Sequence, residues 1–489
     1  MTSNAPDIKL STCSVIGGRS VESAATFTTV NPATGLVLAE VARGSAEDID
    51  RAVVAARKAF DHGPWPRLSP AERKAILLRF ASVIEANTDE LALMEAMEAG
   101  KPITDCMEID LPEAVRTLRW HAEAADKIYD QLSPSGSGVV SMIVREPVGV
   151  VGAVLPWNFP LMMAAWKLGP LLASGNTCVL KPAEQTSLAT IRLAELATEA
   201  GVPDGVINVV PGYGEEAGKA LGLHKGVDCV GFTGSTNTGR EFLRYSADSN
   251  MKRVLLECGG KNPMLVMDDV EDLDTVAMHA TNAAFWNMGE NCSATSRLIV
   301  HENLADELLE KIVDLSHDWV VGDPLDPASR VGALIESDHL ERVQGFVESA
   351  ADQGAELVRG GKQILKDSGG FYIEPTVFRN VSPESDLFNQ EIFGPVLSLT
   401  TFSHVEEALA LANNTEYGLA ASLFTNNNKT AHNAARAIKA GTVTVNCYGE
   451  GDVSTPFGGY KHSGFGGRDK SLLAHDQYTE TKTIWIDLS

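Results

Sequence analysis

The sequence predicts an α/β protein built on parallel, doubly wound sheet. Three observations predict it. From Val150 onward, short apolar runs alternate with stretches of helical length, which is the rhythm of strand–helix–strand units. A second series of the same kind runs from near Asp272 to about Ala440. The 489 residues are 44% hydrophobic and 21% charged, the balance of a globular chain long enough for two to four domains.

The elements follow in order. The first third is predicted mostly helical. Ser69-Pro70-Ala71-Glu72 is a capping box with proline at the first helical position, and Ile76, Leu77, Phe80, Val83 and Ile84 continue it as a helical stripe. These helices are expected to end near Gly100. Val139–Arg145 and Glu480–Leu488 alternate as strands. They fit a small projecting sheet suited to subunit contact, and equally two edge strands of the main sheet. Next come a strand at Val150–Leu155, a helix at Leu161–Ala173, a strand at Thr177–Lys181 and a helix at Ser187–Ala200. A strand at Val206–Val210 leads to a helix from about Glu215. Asp228–Phe232 is a strand, Thr236–Ser246 a helix, and Val254–Leu256 opens another strand. The second series has strands at Arg297–His301 and Val396–Thr401. Ligands of such a sheet sit at the carboxyl ends of its strands.

Bulk properties exclude several classes. The net charge of −25 repels phosphate backbones, so nucleic acid is not expected as a partner. Seven scattered cysteines without a C-x-x-C pair argue against a zinc or disulfide framework, and no metal site is expected. Met1–Ser20 has no apolar core of signal-peptide length. The most apolar stretch, Gly149–Gly175, is broken by Pro156, Asn158, Pro160, Lys167 and Pro170, so no membrane span is expected. A cytoplasmic protein is the reading.

Three local features carry chemistry. Gly231-Phe-Thr-Gly234-Ser235-Thr-Asn-Thr-Gly239 follows a strand and opens a helix, where backbone amides bind a pyrophosphate. Its spacing is not G-x-G-x-x-G, and taken alone a tight turn with glycines for packing is the commoner explanation. Lys181-Pro-Ala-Glu184 ends a strand, where a carboxylate can accept from ribose hydroxyls, though taken alone a surface loop is the stronger reading. Cys292 follows Gly289 in a polar loop rather than an apolar run, a setting open to reactivity as well as to packing.

The segments become specific together. P-W-N at Pro156–Asn158, K-P-A-E at Lys181–Glu184, G-F-T-G-S-T at Gly231–Thr236 and E-C-G-G-K at Glu257–Lys261 are followed by G-E-N-C at Gly289–Cys292. E-I-F-G-P-V at Glu391–Val396 and P-F-G-G-Y-K-H-S-G at Pro456–Gly464 complete the set. Their identities and order resemble the aldehyde dehydrogenase superfamily over essentially the whole length. The resemblance implies that fold: a Rossmann-like cofactor domain, an α/β catalytic domain and a small β element for oligomerisation. The corresponding spans are 1–127 and 149–258, then 259–459, then 128–148 with 460–489. It implies a homodimer or homotetramer, and NAD as cofactor with NADP possible.

The resemblance also assigns residues. It implies Cys292 as nucleophile, Glu257 as general base and Asn158 as the amide that stabilises the oxyanion. For the cofactor it implies Trp157, Asn158, Lys181, Glu184, Gly214, Gly218, Phe232, Gly234, Ser235, Thr238, Gly239, Glu257, Glu391 and Phe393. Relatives that pass the acyl group to coenzyme A lack the base, so Glu257 implies hydrolysis. Glu184 leans towards NAD, because a 2′-phosphate would meet its charge.

Departures are few. Cys258 stands where the family usually has leucine, as inert packing or as a partner for a reversible disulfide with Cys292. His339 replaces a common glutamine, Thr444 a common tryptophan, and Gly466-Gly467-Arg468 carries one extra glycine. The ending from Arg468-Asp-Lys-Ser471 to Trp485 resembles the branch that oxidises ω-aminoaldehydes and γ-glutamylamino aldehydes of polyamine breakdown. For the substrate that resemblance implies Met163, Trp166, Trp286, Asn291, Ser293, Glu450 and Asp452, with Asp110 and Glu113 near the mouth. Acidic groups and aromatic faces both suit a cationic tail. The alternatives are a broad-specificity aliphatic or aromatic aldehyde dehydrogenase, a non-catalytic structural relative, and a cofactor-independent thiol esterase.

Overall fold

Val150–Val154 and Thr177–Lys181 explain the central architecture. Both strands are buried throughout and mostly apolar, because the sheet they form is covered on both faces. Val151, Ala153, Cys178 and Leu180 face one core, packed by the helices Pro70–Ala86, Leu111–Ala124, Pro160–Ala173 and Leu188–Glu199. Val150, Val154 and Val179 face the other, packed by Ala46–Asp61 and Thr236–Ala247. The alternation is the two-residue period of a strand. The computed structural model describes residue 8 and residues 10–489. The Met1–Ser20 reading therefore falls partly outside the described residues. Among these, no helix is long and apolar enough to cross a membrane.

The first sheet has eight strands. Its parallel core runs Ile207–Val209, Thr177–Lys181, Val150–Val154, Cys229–Thr233, Arg253–Glu257. The chain moves outward in one direction from Val150–Val154, then returns to its other side at Cys229–Thr233. That reversal is a topological switch point, where a crevice opens beyond the carboxyl ends. The second sheet has seven strands, with Pro263–Val266, Arg297–His301 and Val396–Phe402 at its centre, all parallel. Val139–Pro147 pairs antiparallel with Thr479–Asp487 and with Gln131–Leu132. Of the two readings for these strands, the separate small sheet is the one observed. Trp485, 63% exposed, and Ile486 and Leu488 leave apolar surface on it.

Two expectations for the first third need correction. Four strands precede its helices: Ser14–Ile16, Arg19–Val21, Thr26–Val30 and Val37–Ala42. Each is only three to six residues long, too short for its period to stand out. Helix also resumes after Gly100. That glycine caps Thr88–Ala99 in the left-handed conformation at φ +72, but the chain then turns through Pro102 into Leu111–Ala124. Leu111, Ala114, Val115, Leu118 and Ala122 supply the buried stripe of this helix.

Candidate active site

The switch point opens into a cavity of about 830 Å³. Strand ends of the first sheet supply Trp157, Asn158, Gly234, Ser235 and Glu257. Loops of the second supply Trp286, Cys292, Glu391 and Phe393.

Cys292 is placed by an unusual loop. Asn287 and Met288 adopt left-handed backbone at φ +52 and +56, followed by Gly289 at +70. A Cβ on Gly289 would lie 2.2 Å from the Gly394 carbonyl oxygen, so only glycine fits. Asn262 Nδ2 donates to the Cys292 carbonyl at 2.7 Å. Burial and the carboxylates Glu450, Glu391 and Glu257 push the thiol well above its usual range, while its own backbone amide pulls the other way. Glu257 is buried, with Oε2 lacking a protein partner. Burial and Asp469 push its carboxyl up; Lys167 and Arg468 oppose. Lys167 and Asp469 form a buried ion pair beside it.

Asn158 Nδ2 donates to the Glu290 carbonyl at 2.9 Å. That bond uses one of two amide hydrogens and fixes the other. The Asn158 carbonyl accepts from Lys101 Nζ at 3.2 Å. Lys101 is fully buried, pairs with Asp110, lies 3.8 Å from Glu95 and sits 4.1 Å from the Phe159 ring centroid. Asp110 therefore does not stand at the cavity mouth, as expected from sequence, but inside this ion cluster. Glu113 does line the cavity.

The cofactor candidates divide. Trp157, Asn158, Gly234, Ser235, Glu257, Glu391 and Phe393 line the enclosed cavity; the others lie outside it. Lys181 Nζ meets Glu184 at 2.9 Å beyond the Thr177–Lys181 strand. Ser235 caps the Thr236–Ala247 helix by accepting from Thr238 N at 3.2 Å. Phe232 packs on Phe242, with centroids 5.0 Å apart. Gly239 lies against Cys258; an added Cβ would be 3.0 Å from its Sγ. Burial pushes that thiol to about 12, the environment of packing rather than chemistry. Gly214 and Gly218 occupy the turn after Ile207–Val209, with nothing within 4 Å of an added Cβ. Glu391 approaches the backbone closely: Gly260 N donates to it at 2.9 Å, and burial raises it to about 7. His339 donates to the Phe393 carbonyl at 2.6 Å, and its ring packs edge-on to Trp157. An ammonium–carboxylate pair, a helix start and a buried carboxylate are a donor set that fits ribose, pyrophosphate and nicotinamide ribose in turn.

On the other side, Met163, Trp166, Trp286 and Glu450 line the wall. Asn291 and Ser293 do not. Asn291 Nδ2 donates to the Tyr448 hydroxyl at 2.8 Å, and Ser293 Oγ donates to Glu450, so both act through neighbours. Asp452 is exposed and lies 3.3 Å from Arg116. Sequence reasoning missed Lys470, Arg116 and Phe457 in this wall, and Lys101 behind Asn158. The Arg468–Ser471 run contained the signal for Lys470, but only as a mark of resemblance.

Comparison with known proteins agrees. The aldehyde dehydrogenase family model matches residues 20–484. An aminoacetaldehyde dehydrogenase of Pseudomonas aeruginosa is 59% identical over 464 residues, covering 95% of this chain and 93% of its own. The NADP/NAD-dependent aldehyde dehydrogenase PuuC of Escherichia coli is 49% identical, covering 95% and 92%. The solved γ-glutamyl-γ-aminobutyraldehyde dehydrogenase of Burkholderia cenocepacia superposes with a TM-score of 0.97 at 50% identity, over 99% of this chain and 98% of its own. With six of the seven motifs contributing to one cavity and the match running through both sheets, the chain belongs to the aldehyde dehydrogenase family and is an NAD(P)-dependent enzyme.

Proposed function

We propose that the chain oxidises ω-aminoaldehydes, free or γ-glutamylated on nitrogen, to carboxylic acids through a thioester on Cys292. The observation that carries this is the convergence of Cys292, Glu257 and Asn158 on one cavity. The Cys292 thiol releases its proton to solvent water, and its sulfur adds to the aldehyde carbon. The new oxyanion takes hydrogen bonds from Asn158 Nδ2 and the Cys292 backbone amide. Bound NAD, or NADP, supplies the acceptor for the hydride that leaves this carbon. Collapse of the oxyanion leaves the thioester. Glu257 then draws a proton from water, whose oxygen attacks the acyl carbon, and the acid departs as the thiol reforms. Because burial raises both Cys292 and Glu257, turnover is expected to rise towards alkaline pH.

Lys181 and Glu184 are assigned to the adenosine ribose, the Thr236–Ala247 helix start to the pyrophosphate, and Glu391 with Phe393 to the nicotinamide half. The carboxylates of Glu108, Glu113 and Glu450 around the outer cavity support a nitrogen-bearing tail. The same reading places the enzyme in the cytoplasm, divides the chain into the spans given above, and uses the small sheet to join subunits into a dimer or tetramer.

The test follows reduced nicotinamide with NAD and 3-aminopropanal. Cys292→Ala should abolish the signal. Glu257→Gln should release about one equivalent per site and then stall, since acylation outruns hydrolysis. Steady turnover in Cys292→Ala would end the proposal.

A further inference from the structure

The outer half of the cavity holds an ammonium with no hydrogen-bond partner among the described residues. Lys470 is 3% exposed and lines the cavity wall. Its Nζ lies 4.2 Å from the Trp166 ring centroid and 5.5 Å from that of Phe457. The carboxylate beside it is Glu450, with Oε2 at 3.8 Å, beyond hydrogen-bond range. Ser293 Oγ donates to the other oxygen of Glu450. The second cation of this wall, Arg116, is already engaged by Glu113 and Asp452.

The backbone holds Lys470 in place. Lys470 and Ser471 are left-handed at φ +61 and +53, a conformation that non-glycine residues keep only where the surroundings enforce it. Here Ser471 N donates to the Val453 carbonyl at 2.8 Å, and Phe457 N to the Asp469 carbonyl at 2.7 Å. These bonds tie the lysine segment to the loop that carries Glu450.

We infer that Lys470 and Glu450 read the far end of the aldehyde as an amide, Lys470 donating to its carbonyl oxygen and Glu450 accepting from its N–H. The inference rests on the proposed oxidation of nitrogen-bearing aldehydes and narrows it to those whose nitrogen is acylated. Of the aromatic faces expected to seat a substrate ammonium, that of Trp166 already seats Lys470. A bare ammonium entering there meets a like charge in a poorly solvated wall. An amide oxygen supplies the acceptor that Lys470 lacks, and the amide N–H faces the free side of Glu450. A tail offering only one of the two groups satisfies half of the pair.

The experiment compares kcat/KM for 3-acetamidopropanal, 3-aminopropanal and hexanal in the wild-type enzyme, Lys470→Met and Lys470→Arg. The wild type should favour the acetamide over the amine by about tenfold or more, the worth of a hydrogen bond to a charged group. Lys470→Met should cut that ratio by about tenfold, chiefly through KM, and Lys470→Arg should restore most of it. A ratio within one variant is blind to general loss of fold or of catalysis. If Lys470→Met does not fold, the wild-type ratio decides alone. Preference for the amine, or a ratio that Lys470→Met leaves unmoved, overturns the inference while the broader function stands. Oxidation of hexanal with neither nitrogenous aldehyde accepted overturns both.

Discussion

The two ends of the cavity are built by different means. The cofactor end is made of main chain: strand ends, a helix start, and glycines that let Glu391 and Cys258 approach the backbone. The substrate end is made of side chains from five remote segments, around Arg116, Trp166, Trp286, Tyr448 and Lys470. Substitution at the first end strains a sheet. Substitution at the second changes a wall and leaves the sheet alone. The common step is thus held by backbone geometry, and selectivity is held where it can vary.

The largest effect is expected between the two ends. Asn158→Ala removes a donor aimed at the oxyanion, and one such donor is worth about 10²–10³ in kcat. Cofactor affinity, measured by fluorescence titration, should change far less. A loss confined to cofactor binding would move Asn158 from the reaction to the cofactor end.

Next comes Gly259→Ala. Its Cβ would lie 1.9 Å from Glu391 Oε2, so the carboxylate must leave its place. KM for the cofactor is expected to rise about tenfold while KM for the aldehyde holds. Trp166→Phe should do the reverse. Equal movement of both constants in either variant would break the distinction between the ends.

The same distinction explains what the sequence made legible. The strands Thr177–Lys181 and Arg297–His301 are observed with the bounds expected, because each centres on a short apolar run buried on both faces and flanked by polar residues. The glycines and strand ends proposed to hold the cofactor are local features of the same kind, and local features are written consecutively. Lys470, Arg116 and Tyr448 meet only through tertiary packing, so no window of sequence contains them together. Asp110 misled because a charge reads as surface, whereas Lys101 sits across from it in the core. The four early strands misled because runs of three to six residues are too short to show a clear period.

Acid should act on the substrate end. His121, on the helix that carries Arg116, meets His475 of the Lys470 segment, Nδ1 to Nε2 at 2.9 Å. Burial pushes His121 well below its usual value and His475 down to about 4, with Asp476 opposing at the latter. An unfolded histidine titrates near 6.5, so between about 6.5 and 4 the unfolded chain binds protons that the fold refuses. This contribution to stability is complete above about pH 6.5 and is lost as pH falls towards 4. Melting temperature should drop over that window in the wild type and less in His475→Gln. Parallel curves for the two would remove the pair as the cause.

The smallest effect tests whether the two ends communicate through charge. Glu450 belongs to the substrate wall, yet after burial its carboxylate is the strongest influence holding the Cys292 thiol high. Glu450→Gln removes that charge and keeps the shape, and the amide can still meet Ser293 Oγ. A thiol freed of a nearby negative charge ionises at lower pH. The rate of Cys292 alkylation by iodoacetamide, followed against pH, should therefore shift to lower pH in Glu450→Gln. Glu391→Gln, at the cofactor end, should shift it in the same direction and by less, since that carboxylate ranks behind Glu450 as a cause. A larger shift from Glu391→Gln would place electrostatic control of the nucleophile with the cofactor end, and the wall would then select the aldehyde without tuning the sulfur that attacks it.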